Sequence, residues 1–114
     1  MKIHYVEIVI KDVDAACALY SQAYGVTFGK PDQNLGGART VKLAGGGMLG
    51  IRAPMHDREK SVVRPYVLVK DINASVAAAA KGGAEVAVPP MEIPGHGTCA
   101  IVIHGGIESG LWQL

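Results

Sequence analysis

Two carboxylates and two arginines are the residues of this chain best suited to acid-base chemistry: Glu7, Glu108, Arg52 and Arg64. A glutamate held beside a carbonyl compound can remove a proton, and a neighbouring guanidinium can stabilise the resulting enolate or a substrate carboxylate. That combination suits an isomerase or a lyase. The four histidines, His4, His56, His96 and His104, have no i, i+4 or similar spacing that would propose a metal site. His96 stands in the Pro/Gly stretch PPMEIPGHG, a loop able to fold over a site and reach a ligand. Ser21, Ser61, Ser75 and Ser109 lack an elbow motif, and neither Cys17 nor Cys99 lies beside an activating base. No Gly-rich run opens a helix, so a phosphate cradle is not expected.

Such residues act only if strands and helices bring them together. IHYVEIVI, Ile3 to Ile10, is rich in β-branched residues and reads as a strand. Asp12 follows as an N-cap. Val13, Ala16, Cys17, Tyr20, Ala23 and Tyr24 then recur at helical spacing, with Gly25 as the residue that ends the helix. VTFGK, ARTVKLA and GMLGIRA read as three strands between Pro, Asn and Gly turns. The second half repeats this order: RPYVLVK, then Asp71, the helix INASVAAAAKGG, and the strands AEVAV, GTCAIVI and SGLWQL.

The repeat is carried by Lys-Asp before each helix (Lys11-Asp12 and Lys70-Asp71) and by Gly-Gly-x-x-x-Gly before each last strand (GGGMLGIRAP and GGIESGLWQL). The offset of about 60 residues is half the chain, as expected of a duplicated supersecondary unit. Module one covers 1–54 and module two 63–114. The polar run PMHDREKSV at 54–62 reads as a solvated linker.

At 114 residues the chain is one domain. Its content of 49% hydrophobic and 18% charged residues is that of a globular protein. A formal net charge of +1 gives no nucleic-acid or anionic-membrane footprint. No apolar run reaches the roughly 18 residues of a bilayer span. The charged, alternating N-terminus is a strand and not a signal peptide, and the two cysteines read as reduced thiols of a cytoplasmic protein.

Two tandem strand-helix-strand-strand-strand units of this kind resemble the vicinal oxygen chelate superfamily, also called the glyoxalase/bleomycin-resistance/dioxygenase fold. IVIKDVDAACALYSQAYG and the terminal GLWQ carry the resemblance most specifically. It implies an α+β chain: two βαβββ modules in a curved, cup-shaped mixed sheet with helices outside, a ligand in the cup, and a homodimer. Superfamily enzymes hold a divalent metal with a first-strand residue, typically His, seven before the capping Asp, and a last-strand residue, typically Glu. Those four positions here are Tyr5, Gly50, Arg64 and Gly110. Glycine offers no donor, arginine is a fixed cation, and one tyrosine does not make a site. No metal and no cofactor are therefore expected.

Gly50 and Gly110 would leave a wider, uncharged cup floor, or else mark a bulge or a close approach. Because strand side chains alternate, Tyr5 facing inward brings Glu7 with it, and Gly50 brings Met48 and Arg52. Arg64 brings Tyr66, and Gly110 brings Glu108 and Trp112. His4, next to Tyr5, should point outward. With His96 these are the candidate ligand-binding residues, Tyr, Met and Trp supplying apolar area. Glu7 could equally form a structural ion pair with Arg52 or Arg64, and Trp112 and Tyr5 could be core or interface residues. The resemblance leaves three readings. One is a metal-free small-molecule-binding protein in the manner of antibiotic-sequestering members. Another is a lyase or isomerase with Glu7 or Glu108 as general base. The third is a non-catalytic dimeric scaffold with a filled cup.

Overall fold

A computed structural model describes residues 1–114. It contains seven strands and two helices in an α+β arrangement: β1 (Lys2–Val9), α1 (Val13–Tyr24), β2 (Arg39–Lys42), β3 (Met48–Arg52), β4 (Val62–Leu68), α2 (Ile72–Lys81), β5 (Glu85–Ile93), β6 (Gly97–His104) and β7 (Ile107–Gln113). Neither helix is long and apolar enough to cross a membrane. The chain divides into two compact units. Tyr5–Val63 is the first; Arg64–Leu114, joined by Met1–His4, is the second.

In the first unit β1 pairs in parallel with β3, and β2 lies antiparallel on the far side of β3. Helix α1 begins where the Asp12 carboxylate accepts from the Ala15 amide at 3.0 Å and ends at Gly25, whose φ of 68° is the left-handed conformation of a helix stop. Its apolar face meets the sheet around Ile8, Cys17, Phe28 and Ile51. Burying each such aliphatic or aromatic side chain contributes about 1.5–3 kcal/mol.

The expected strand VTFGK does not form. Val26–Lys30 runs as irregular chain, tied to β2 by the Gly29 amide donating to Thr40 O at 2.9 Å. Pro31 has no N–H for a ladder, and Asp32 then turns the chain by accepting from Asn34 N at 2.9 Å into a short 3-10 turn, Gln33–Leu35. Module one is therefore βαββ in regular structure, with one strand fewer than its counterpart.

The second unit carries the full βαβββ order, its strands arranged β4-β7-β6-β5. Asp71 caps α2 through Ala74 N at 3.1 Å, and Gln113 Oε1 accepts from Ile72 N at 2.8 Å, fastening the last strand to the first turn of the helix. Ile72 and Val76 of α2 pack on Ala100, Val102 and Leu111. The stretch expected to be a loop from Pro89 is largely strand: β5 continues through Pro89 and Pro90 to Ile93. An edge strand tolerates proline because its missing N–H points away from the ladder, and register shifts at Val86/Val88 and Val88/Met91 absorb the misfit.

Candidate functional site

Alternation places the residues of chemical interest on the sheet face opposite each helix. In the first unit Ile8 and Ile51 face α1, so Tyr5, Glu7, Gly50 and Arg52 share the other face. In the second unit Leu111 faces α2, which leaves Gly110 and Trp112 on the opposite face with Tyr66 and Arg64.

Gly50 and Gly110 do not leave open floor. A Cβ at Gly50 would overlap the Tyr5 hydroxyl, and one at Gly110 would overlap the Tyr66 ring. The expectation of a wider cup floor is therefore corrected: each glycine is the seat of a tyrosine, and the space a side chain would take is occupied. The close-approach reading of these glycines is the one found. The seating differs between the units. Tyr66 is the direct register partner of Gly110 and lies against it by its ring. Gly50 is registered with Glu7, and Tyr5, whose own partner is Met48, reaches it diagonally with its phenol tip.

The charges on these faces are engaged by one another. Arg52 is 4% exposed and Glu7 7%. Arg52 Nε donates to Glu7 Oε2 at 2.7 Å, so the ion pair between Glu7 and Arg52 forms. The two terminal nitrogens of Arg52 donate to the two oxygens of Glu59 at 2.8 and 2.7 Å, a fork-to-fork pair. Glu59, and then Glu7, hold the guanidinium protonated against its burial. In the second unit Arg64, also 4% exposed, donates to Glu108 at 3.0 Å; the Glu108 side chain stays 36% exposed. Glu108 is thus half in solvent and half in an ion pair.

Trp112, 1% exposed, makes an edge contact with Tyr66 and donates Nε1–H to the His96 carbonyl at 2.9 Å. His96 belongs to the turn between β5 and β6, and its backbone oxygen, not only its ring, serves that neighbourhood. His4 was expected to point away; its ring instead packs 5.5 Å from Trp112, and burial, then Lys2 and His96, push its pKa below the usual 6.5. Met48, half-buried, ends up beside Tyr5 in the register.

Glu59 is the residue that sequence reasoning missed. Its run, PMHDREKSV, is polar and reads as solvated, and Glu59 is the residue of it whose side chain joins this ion network. The available signal was stoichiometric: a buried-face arginine flanked by a linker holding an Asp and a Glu. Gly36 was likewise unremarked. Its φ of 66° needs glycine, and a Cβ there would overlap the Met55 methyl and stand 3.1 Å from Arg52 Cδ.

The residues at the four metal positions do not fit a divalent cation. Gly50 and Gly110 have no side-chain donor and lie under tyrosine. Burial, then the Glu7 charge, push the Tyr5 phenol well above its ordinary range, which keeps it protonated. Arg64 is cationic. No group of three or more His, Cys, Asp or Glu is placed to hold a metal. Cys17 is buried, with its thiol pushed up by that burial, which argues against a thiolate nucleophile.

No protein-family model and no curated protein matches the chain. Solved structures do. A hypothetical protein from Bacillus halodurans superposes with a TM-score of 0.75 at 13% identity, over 99% of this chain and 94% of its own. Methylmalonyl-CoA epimerase from Mycobacterium tuberculosis gives 0.71 at 15%, over 97% and 86%. The Mn(II)-bound glyoxalase from Novosphingobium aromaticivorans gives 0.72 at 20%, over 98% of this chain and 38% of its own. The chain shares the fold of these structures, the vicinal oxygen chelate fold, and tyrosines are seated on its Gly50 and Gly110.

Proposed function

We propose that this protein binds a small molecule without a metal, using the sheet faces that carry Tyr5, Arg52, Arg64, Tyr66 and Trp112. The observation that carries the reading is the donor set itself. Tyr5, Gly50, Arg64 and Gly110 replace the superfamily's ligands, and tyrosines cover both glycines. What remains on the faces is aromatic surface beside buried guanidinium groups, a chemistry suited to an apolar molecule bearing a carboxylate or other anionic group. Methylmalonyl-CoA epimerase, among the fold neighbours, is named for an acyl-CoA substrate that carries such a carboxylate. A homodimer, as the resemblance implies, and a cytoplasmic setting, in line with the free thiols of Cys17 and Cys99, belong to the same proposal.

The test has two parts. Purified protein incubated with Zn, Ni, Mn or Fe(II) and analysed by elemental mass spectrometry should retain no stoichiometric metal. A panel of aromatic and aliphatic acids should then change the fluorescence of Trp112, the single tryptophan. Retention of one metal per chain would sink the metal-free reading. A silent panel would favour a second reading, the non-catalytic scaffold, which draws its support from the burial of Tyr5, Tyr66 and Trp112 at 2%, 4% and 1% exposure. General-base chemistry by Glu7 has less support, since its carboxylate already accepts from Arg52.

A further inference from the structure

We infer that Arg52 is a carboxylate-binding site whose resident occupant is Glu59, a tethered group of the same chain that an external carboxylate replaces. The inference deepens the small-molecule reading above and rests on it for the ligand class.

Arg52 is built as a receptor. Its Nε is fixed by Glu7 and NH1 also donates to Ala53 O at 3.2 Å, both from residues of the sheet or its immediate end. These bonds leave the edge formed by NH1 and NH2 to a further partner, and planar carboxylates fit that edge in bidentate fashion. Glu59 fills it in that manner.

Glu59 is not part of the sheet. It comes from the irregular segment 53–61, in which every residue except Pro54 and Glu59 is exposed. The segment is held down locally: Glu59 Oε1 accepts from Met55 N at 2.7 Å, Glu59 N donates to His56 O at 3.1 Å, and the Met55 methyl sits over Gly36. Beside it opens a cleft of about 490 Å³ lined by Lys11, Pro54, Met55, His56, Asp57 and Glu59. The cleft gives room for the body of a small acid whose carboxylate has taken Glu59's place, and Lys11 adds a cation at its wall.

Exchange keeps the charge constant. Arg52 with Glu7 and Glu59 carries one excess negative charge, and the same arrangement with an external carboxylate carries the same. A tethered group competes at an effective concentration in the millimolar range, so Glu59 weakens the apparent affinity for any rival by that competition. Removing it should tighten carboxylate binding about tenfold or more.

The experiment compares the full-length protein with Glu59→Ala, titrating each with sodium acetate and sodium propionate against sodium chloride of equal ionic strength. The variant should bind propionate at least about tenfold more tightly than the wild type and recover thermal stability as it does so. In the wild type, saturating propionate should accelerate hydrogen exchange at the Met55 amide, which loses its Glu59 partner. If Glu59→Ala does not fold, Glu59→Gln, which keeps the shape and loses the charge, takes its place with the same expected direction. Equal response to propionate and chloride in the variant overturns the inference. So does a rescued variant beside a wild type whose Met55 exchange never changes, since Glu59 is then a fixed ion-pair partner. The Trp112 panel reads the parent proposal separately. A panel hit without exchange at Met55 removes this inference alone, and exchange without a panel hit upholds it while removing the Trp112 face from the parent proposal.

Discussion

The two modules place different residues at equivalent positions of one plan. Tyr5, Glu7, Gly50 and Arg52 of the first correspond to Arg64, Tyr66, Gly110 and Trp112 of the second. Glycine alone is kept, and in both cases tyrosine lies on it, yet the tyrosine comes from a different place in each. In the second module it is the register partner and presents its ring. In the first it is a diagonal neighbour and presents its hydroxyl, because the register position is taken by Glu7. The arginines trade places as well. Arg52, on the last strand, is held by the buried Glu7 and by Glu59, whereas Arg64, on the first strand, pairs with the half-exposed Glu108. The same strand-helix order thus tolerates reshuffled chemistry provided that the glycine keeps its tyrosine and each buried arginine keeps a carboxylate.

The sharpest way to break the comparison is to remove the arginines. Arg52→Met strands two carboxylates, one of them buried, and should cost about 3–5 kcal/mol in urea unfolding. Arg64→Met leaves the half-exposed Glu108 free to turn into water and should cost less, about 1–3 kcal/mol. Equal losses would mean that burial of the partner does not set the difference.

Alanine at the glycines comes next. Gly110→Ala forces the Tyr66 ring off its partner strand and should cost about 2–3 kcal/mol, with Gly50→Ala nearer 1–2, as for overpacked sites generally. Tyr5→Phe should relieve part of the Gly50→Ala penalty, since the hydroxyl is the first atom met. Tyr66→Phe should relieve none of the Gly110→Ala penalty, since there it is the ring. A double-mutant cycle reads both coupling energies.

The helix caps should not distinguish the modules. Asp12→Ala and Asp71→Ala each remove one side-chain acceptor at the same point and should each cost about 1 kcal/mol in thermal or urea unfolding. A loss confined to one of them would show that its helix is held by packing instead.

The smallest effect is acid sensitivity confined to the second compact unit, to which His4 belongs. The His4 pKa is depressed in the folded chain, so the unfolded chain binds more protons between the folded value and 6.5. Stability from this group is complete above the unfolded value and falls as pH drops through that window. The urea midpoint should therefore decline below pH 6.5 less steeply in His4→Gln than in the wild type, and Trp112 fluorescence should titrate with His4, whose ring lies against it.

Local chemistry made much of this legible in advance. Asp12, Asp71 and Gly25 act where their types and neighbours place them, because a cap depends on a few adjacent backbone groups. The alternation that groups Tyr5 with Glu7 and Gly110 with Trp112 follows from the pleat alone. By contrast, VTFGK has strand composition yet lacks the ladder, and Pro89-Pro90 has loop composition yet lies within β5. Each depends on whether a partner strand offers hydrogen bonds at that point, which composition does not contain.

The sequence by itself determined the repeated order of elements, the capped helices, the α+β class and the lack of lone-pair donors at Gly50, Arg64 and Gly110, since each is a property of residue type and spacing along the chain. Tertiary structure decided which tyrosine sits on which glycine, that Glu7 pairs with Arg52, and that Glu59 returns from an exposed segment to Arg52. Those pairings join residues as much as 45 positions apart. They are settled by register and by the cost of leaving a buried charge without a partner, neither of which acts until the strands have met.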